Sequence, residues 1–414
     1  MQLHSHHHRS RVVAEMHVRP SPVVTAPATI TQLLRLVTEC DREAEQDWLD
    51  RLPFTQRHED GSGRSLEGTL AEASHLFWER HSEGSTVTLI DRSANLNHSP
   101  PAWIADQPGE IMRASKTLVT DDEVVAQQWI AALELAPAHM VCCQFGEATL
   151  WTDFRLHADG FGYQIICNQG LASADLGRLV QRLQELGNYR NLTMLGLEVA
   201  RDHGPSVDAL EQRHLDIVQQ LQSDDHNAVA LDALIALAAD VQLLVARTAY
   251  RMSATLAYAD IVNDRLAALD CERVAGFQTL ADFTERRILP AVRTCRSFSD
   301  RLRILGERIN ATTAQLRTRI ELGIQHHNRD LLASMEQSAR HQVQLQHLVE
   351  GLSVIGVSYY LIGIVGYLFK GFFPKHGILG ADQALAALAI PIVILTTIML
   401  RRRVGKVTAT LTKE

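Results

Sequence analysis

The 414-residue sequence has no catalytic signature of the usual kinds. It lacks a Gly-x-Ser-x-Gly turn that would expose a nucleophile, and it lacks a Cys-x-x-Cys pair. Its six cysteines, Cys40, Cys142, Cys143, Cys167, Cys271 and Cys295, are scattered, which reads as reduced and mostly buried thiols. Cys142 and Cys143, if they lie in a strand, point to opposite faces. No dense basic block occurs before the extreme C-terminus, and the formal charge is -8, so no nucleic-acid partner is expected. The opening MQLHSHHHRSR lacks the apolar run of a secretory signal, and its histidines read as a tail. No cofactor is expected.

Proline is missing from Phe298 to Gly351, and that gap is the most informative one. Leu302, Leu305, Ile309, Leu316, Ile320 and Ile324 follow one another mostly three or four apart. The stripe resumes as Leu331, Met335, Ser338, Gln342, Leu345, Val349 and Leu352. That spacing predicts a helix with one apolar side, close to a coiled-coil seam, with a change of supercoil around Leu316 to Ile324. Nothing stops the helix before the apolar segment LSVIGVSYYLIGIVGYLF. Stalk and span are therefore expected to form one rod, roughly 105 Å from Phe298 to Phe369.

Gly351 to Phe369 is free of charge over 19 residues, and Ala384 to Leu400 over 17. Both are expected to span a bilayer. The tail after Leu400 holds five basic residues against two in the link from Lys370 to Gln383, which places both termini in the cytoplasm. Gly356, Gly363 and Gly366 fall near one face of the first span and permit close helix approach, with Tyr360 nearby. Pro391 is expected to bend the second span. Neither span holds an ionisable residue to relay a proton.

The rest of the chain reads as helical and irregular over 1–76, a small α/β domain over 77–206 and a helical hairpin region over 207–297. The stalk follows over 298–350, a two-helix anchor over 351–400 and a basic tail over 401–414. Leu33, Leu34, Leu36 and Val37 are assigned to an amphipathic helix, and Gln56 to Ser65 to a polar excursion. Strands are expected at Ser85 to Ile90, in IMRASKTLVT, and in three runs between His139 and Cys167 with tight turns at Gly146-Glu147 and Asp159-Gly160. Asp121, Asp122 and Glu123 cap a helix from Val124 to Leu135, and Asp175 caps the next one. Ser223 to His226 break the helical pattern of 207–270, and Gly276 and Pro290 mark a reversal or kinks. The fold class is thus an α+β cytoplasmic domain, a long helical hairpin and stalk helix, and two C-terminal transmembrane helices.

Three groups of polar residues are candidates for chemistry. In a strand, Glu79, His81 and Glu83 share one face with Arg80 on the other, and such a cluster suits a divalent ion or a proton shuttle. A charged strand edge or interdomain salt bridges are the plainer reading. Arg155, with Arg178, Arg182 and Arg190 on the following helix, is a candidate anion patch, although arginines as often partner neighbouring carboxylates. Glu15, His17 and Arg19 lie in the extended segment AEMHVRPSPVV, a trio suited to grip a partner domain or an anion, with a structural clamp as the plainer role.

The pieces EMHVRPSP, WERHSEGSTVT, WTDFRLHADGF, GRLVQRLQELGNYR, QTLADFTERRILPAVRTCRS and VEGLSVIGVSYYLIGIVGYLFK together resemble the bacterial membrane-anchored family DUF3422 over almost the whole chain. Ser21 stands where the family tends to have phenylalanine, and Ser82-Glu83-Gly84 where it has threonine, glutamate and phenylalanine. The resemblance implies a bacterial inner-membrane protein and supplies no reaction. The layout is also similar to the CorA-type divalent-cation channels, but their Gly-Met-Asn motif is replaced here by Gly366-Tyr367-Leu368-Phe369-Lys370. The expectation is an anchored scaffold or sensor that meets membrane lipid and further copies of itself through the stalk, its small-molecule or ion ligand left open. A CorA-like channel stands second and a membrane-bound enzyme last.

Overall fold

The computed structural model describes residues 6–9, 12–13, 21–59, 63–70, 74–135, 139–221 and 227–372, and positions 387, 389–391, 393–399 and 402. The chain divides into two units, Met1–Ala314 and Gln315–Glu414. The first unit is α+β, built on a mixed ten-stranded sheet with long helices against it.

The strands are β1 (Ala28–Leu36), β2 (Phe54–Glu59), β3 (Ser65–Leu70), β4 (His75–Arg80), β5 (Gly84–Asp91), β6 (Glu110–Thr120), β7 (Val141–Phe145), β8 (Ala148–Thr152), β9 (Gly162–Asn168) and β10 (Glu272–Arg273). Their order across the sheet is β10-β7-β8-β9-β6-β1-β5-β4-β3-β2. Each pairing is antiparallel except β6 with β9, which is parallel. The helices are α1 (Arg42–Asp50), α2 (Glu123–Ala132), α3 (Ser173–Gln220), α4 (Asn227–Leu269) and α5 (Leu280–Phe372).

The residues expected as a helix around Leu33 to Val37 form β1 instead. That strand is central, paired with β5 on one side and β6 on the other, and buried along nearly its whole length. A strand covered on both faces loses the alternation that identifies strands, so its apolar run mimics a helix. The boundary expected at residue 76 consequently falls inside β4. Of the expected polar excursion, Gln56 to Glu59 belong to β2 and Ser65 opens β3, and β2 is polar because it is an exposed sheet edge.

Side-chain alternation sorts the sheet's two faces. Leu33, Leu66, Leu76, Trp78 and Leu89 pack with Trp48 and Leu49 of α1. Leu118, Cys142, Trp151 and Ile165 pack with Trp129 and Ile130 of α2. Ile30, Val119, Cys143 and Ile166 meet Leu176, Val180 and Leu183 of α3. Cys142 and Cys143 thus do lie on opposite faces. All six cysteines are free thiols, and Cys40 alone is exposed. The Asp122 carboxylate caps α2 by accepting from Val124 N at 2.8 Å. Asp175 does not cap α3: that helix starts at Ser173, and Asp175 binds Arg178 within its first turn.

Helices α3 and α4 form the expected hairpin, but α3 begins well before residue 207 and runs through Pro205. The Ser223 to His226 break lies outside the described residues, apart from the turn at Leu221 that precedes it. Gly276 adopts φ 86° in the reversal before α5, whereas Pro290 sits inside α5 without ending it. Phe298, Leu302, Leu305 and Ile309 of α5 are buried, with α3 alongside: Arg301 binds Asp208 and Glu211, and His214 meets Thr312 at 3.2 Å.

In the second unit, α5 continues as a bare helix. Each residue of 321–349 is exposed, including Leu331, Met335, Leu345 and Val349. Near its end Ser358 is buried and sits 2.9 Å from the Thr396 hydroxyl of the helical stretch Ala389–Met399. Among the described residues two helices, α4 and α5, are long and apolar enough to cross a membrane.

Candidate functional site

The β4–β5 corner divides the residues of WERHSEG between two cavities. Phe77, Glu79 and His81 point to the α3 side, where they line a cavity of about 60 Å³ with Gln32, Thr86, Gln184 and Asn188. His81 Nε2 lies 3.1 Å from the Thr86 hydroxyl. The strand ends at Arg80, so Glu83 leaves that face and joins the turn. There it accepts from Arg251 of α4 at 2.8 Å, while Ser82 meets Tyr258 at 3.1 Å. Arg80 and Glu83 line a second cavity of about 330 Å³, to which His81 also contributes. Among the described residues no group of three or more His, Cys, Asp or Glu converges as metal ligands. At this corner the Arg251–Glu83 ion pair ties the β4–β5 turn to α4.

The arginines also separate. Arg178 is exposed and bound to Asp175, and Arg182 donates to the Ala268 carbonyl at 3.1 Å. Both serve the outside of α3. Arg155 and Arg190 instead line one cavity of about 310 Å³, and the third arginine there is Arg113 of β6. Glu15, His17 and Arg19 lie outside the described residues.

This cavity follows from the sheet register. β6 starts at Glu110, but its parallel neighbour β9 pairs only from Ser115 opposite Gly162, which leaves the first part of β6 uncovered on that side. The β1–β6 register shifts between Leu34 and Arg35, so that Arg113 opposes Leu34 and Ile111 opposes Arg35. Met112 is the extra residue, and such a bulge re-aims its neighbours. The segment after β8 closes the floor. Phe154 N donates to the Thr152 hydroxyl at 3.3 Å and Arg155 N to the Asp153 carboxylate at 3.0 Å. Phe154 itself sits at φ 54°, a strained conformation for an aromatic residue.

That conformation places the Phe154 ring under Arg190, whose guanidinium carbon is 3.9 Å from the ring centroid. Phe283 stacks on Phe154 at 4.4 Å, and Arg287 covers Phe283 at 3.7 Å. Arg190 Nη1 is buried and has no hydrogen-bond acceptor among the described residues. Arg113 Nη1 donates to Gln184 at 2.7 Å, Gln32 at 2.9 Å and Asn188 at 3.0 Å, all neutral amide oxygens. Gly187 of α3 makes this possible: a Cβ there would lie 2.6 Å from the Arg113 guanidinium carbon. Burial, reinforced by the neighbouring Arg190, pushes Arg113 down to about 9, and burial with Arg287 pushes Arg190 down to about 10. The direction means that the folded protein carries these positive charges at a cost.

Sequence reasoning found Arg155 and Arg190 but missed Arg113, whose partners come from β1 and α3. The polar residues on the opposite face of β6 are internally satisfied: Lys116 binds Asp159 at 2.8 Å, and Tyr163 donates to Asp159 at 2.7 Å. In the second unit Gly366 is buried, Gly356 half-buried, and Gly363 and Tyr360 exposed. Among the described residues, a Cβ at Gly356 or Gly363 would meet nothing within 4 Å. Pro391 lies within the helical stretch Ala389–Met399.

No curated protein matches the chain. The family DUF3422, described as a protein of unknown function, matches residues 4–407, nearly the full length and all the elements above. The chain belongs to the DUF3422 family.

Proposed function

We propose that this protein is a membrane-anchored scaffold or sensor that assembles with copies of itself through α5. The observation that carries the reading is the exposed apolar stripe of residues 321–349. A lone helix in water draws little stability from propensity; packing of an apolar face supplies most of it. Leu331, Met335, Leu345, Val349 and Leu352, spaced by fours and threes through Ser338 and Gln342, are 54%, 60%, 62%, 63% and 71% exposed. Burying each would contribute about 1.5–3 kcal/mol.

A second copy suits this stripe better than an unrelated partner. The helix continues into Gly351–Phe369, and copies inserted in one bilayer with one topology present their stripes in parallel and in register. Polar Ser338 and Gln342 then meet their own counterparts, which favours one register. The same spacing passes through Gly356, Tyr359 and Gly363, so the small residues can bring spans of different copies together. The span's most apolar window is only 6% buried within the chain, as lipid contact would require. α4 also passes a hydropathy test, but it carries Asp240, Arg251 and Arg265, which pair with Arg213, Glu83 and Glu185, and packs against α3. It is the core helix of the hairpin in this reading.

The soluble unit and both termini then lie in the cytoplasm of a bacterial inner membrane. Lys375, outside the described residues, falls in the link between spans. A cysteine at position 375 should label from the periplasmic side and one at position 406 should not; the reverse pattern overturns the topology. Mass measurement in mild detergent tests the assembly, and a clean monomer there would end the self-association reading.

A further inference from the structure

We infer that the arginine-lined cavity between β6, the segment after β8 and α3 is a binding site for the oxyanion group, phosphate or carboxylate, of a small ligand. The inference is independent of how the chain assembles or sits in a membrane. Its first support is charge of one sign. Arg113, Arg155 and Arg190 line the cavity, and among the described residues no Asp or Glu does. Buried charges are ordinarily paired, because leaving one unpaired in a low-dielectric site is costly. Here Arg113 is held by three neutral amide oxygens, which satisfy its geometry and leave its charge uncompensated.

The second support is an open valence. Arg190 lines the cavity and its Nη1 has no acceptor among the described residues, while its flat face is occupied by Phe154. A guanidinium stacked on a ring keeps its N–H groups in the plane of the stack, free to grip a planar or tetrahedral oxyanion from the edge. Two local irregularities, the bulge at Met112 and the left-handed Phe154, stand beside these groups at the cavity. The third support is size. About 310 Å³, with Ile111, Phe154 and Leu156 beside the arginines, fits a small metabolite with one charged end. The competing account makes Arg113 and Arg190 cross-links between sheet and α3. The two accounts differ in sign, since removing a needed cross-link destabilises the empty protein, whereas removing an uncompensated buried charge does not.

The test is calorimetric titration of the detergent-solubilised full chain with inorganic phosphate and with malonate, each against sodium chloride at matched ionic strength. Saturable heat with phosphate alone, malonate alone or both supports the site and assigns the class of its oxyanion. Heat with neither, beyond the chloride control, overturns it. Arg190→Gln should weaken binding at least about tenfold, the loss of a charge-assisted pair. Its melting temperature without ligand should be no lower than that of the unsubstituted protein. Arg178→Gln, on the outer side of α3, should bind as before. Unchanged affinity in Arg190→Gln would also overturn the assignment. Should that variant fail to fold, Arg155→Gln, at an exposed position on the same cavity, must weaken binding severalfold or the inference falls.

Discussion

Two stretches of α5 carry the same apolar spacing and meet opposite fates. Phe298, Leu302, Leu305 and Ile309 are buried beside α3 in the first unit, and Ile309 has no exposed surface. Leu331 to Leu352, alike in pattern, are bare in the second. The difference lies in the neighbours rather than the stripe. The first stretch has ion-paired company, Arg301 with Asp208 and Glu211, while the α3–α4 hairpin has no counterpart among the described residues of the second unit. A seam in a sequence states that something covers it and leaves open which chain does so.

Substitutions at matched positions break the comparison most sharply. Leu305→Asp places an unpaired carboxylate in the packed first unit, where Leu305 is 2% exposed, and should cost about 4 kcal/mol or more. Chemical denaturation followed by tryptophan fluorescence measures it, because all five tryptophans lie in that unit. The same change at Leu345 should leave that unfolding midpoint in place and lower the stability of the assembly by a few kcal/mol, read as a fall in mass on dilution in mild detergent. Equal damage to the first unit from both variants would refute the distinction.

Smaller effects sharpen it further. Gly187→Ala forces a methyl group against the Arg113 guanidinium and should destabilise the first unit by about 1–3 kcal/mol, visible as a lowered melting temperature. Gly363→Ala, where a Cβ meets nothing among the described residues, should be silent in a monomer and loosen an assembly whose helices touch there. Ser358→Ala removes the hydroxyl contact with Thr396 and should cost only about 0.6 kcal/mol, since hydrogen bonds between spans are individually weak. A thermal shift beyond that scale would show that Ser358 does more than join two helices.

The strands with alternating or turn-bounded sequences were legible: β5, β6 and the β7–β8–β9 run lie close to where composition and turns place them. β1 was not, because burial on both faces erased its alternation. The same holds within the candidate site. Arg155 and Arg190 stand in segments whose arginines are conspicuous, but Arg113 sits in an ordinary strand, and only its three amide partners and Gly187 single it out. Arg178 and Arg182, about three and about two helical turns before Arg190 on α3, face outward instead.

The sequence by itself determined the local and periodic facts: an amphipathic helix without an internal stop from Phe298, charge-free segments long enough for a bilayer, and turns where glycine must adopt positive φ. These depend on neighbours within a few residues, so the order of residues contains them. Tertiary structure alone decided which half of the stripe α3 covers, which arginines share a cavity, and that Glu83 turns away from Glu79 and His81. Those outcomes depend on contacts between residues far apart in the chain, such as Gln32, Arg113 and Gln184, whose meeting is set by strand register and helix placement.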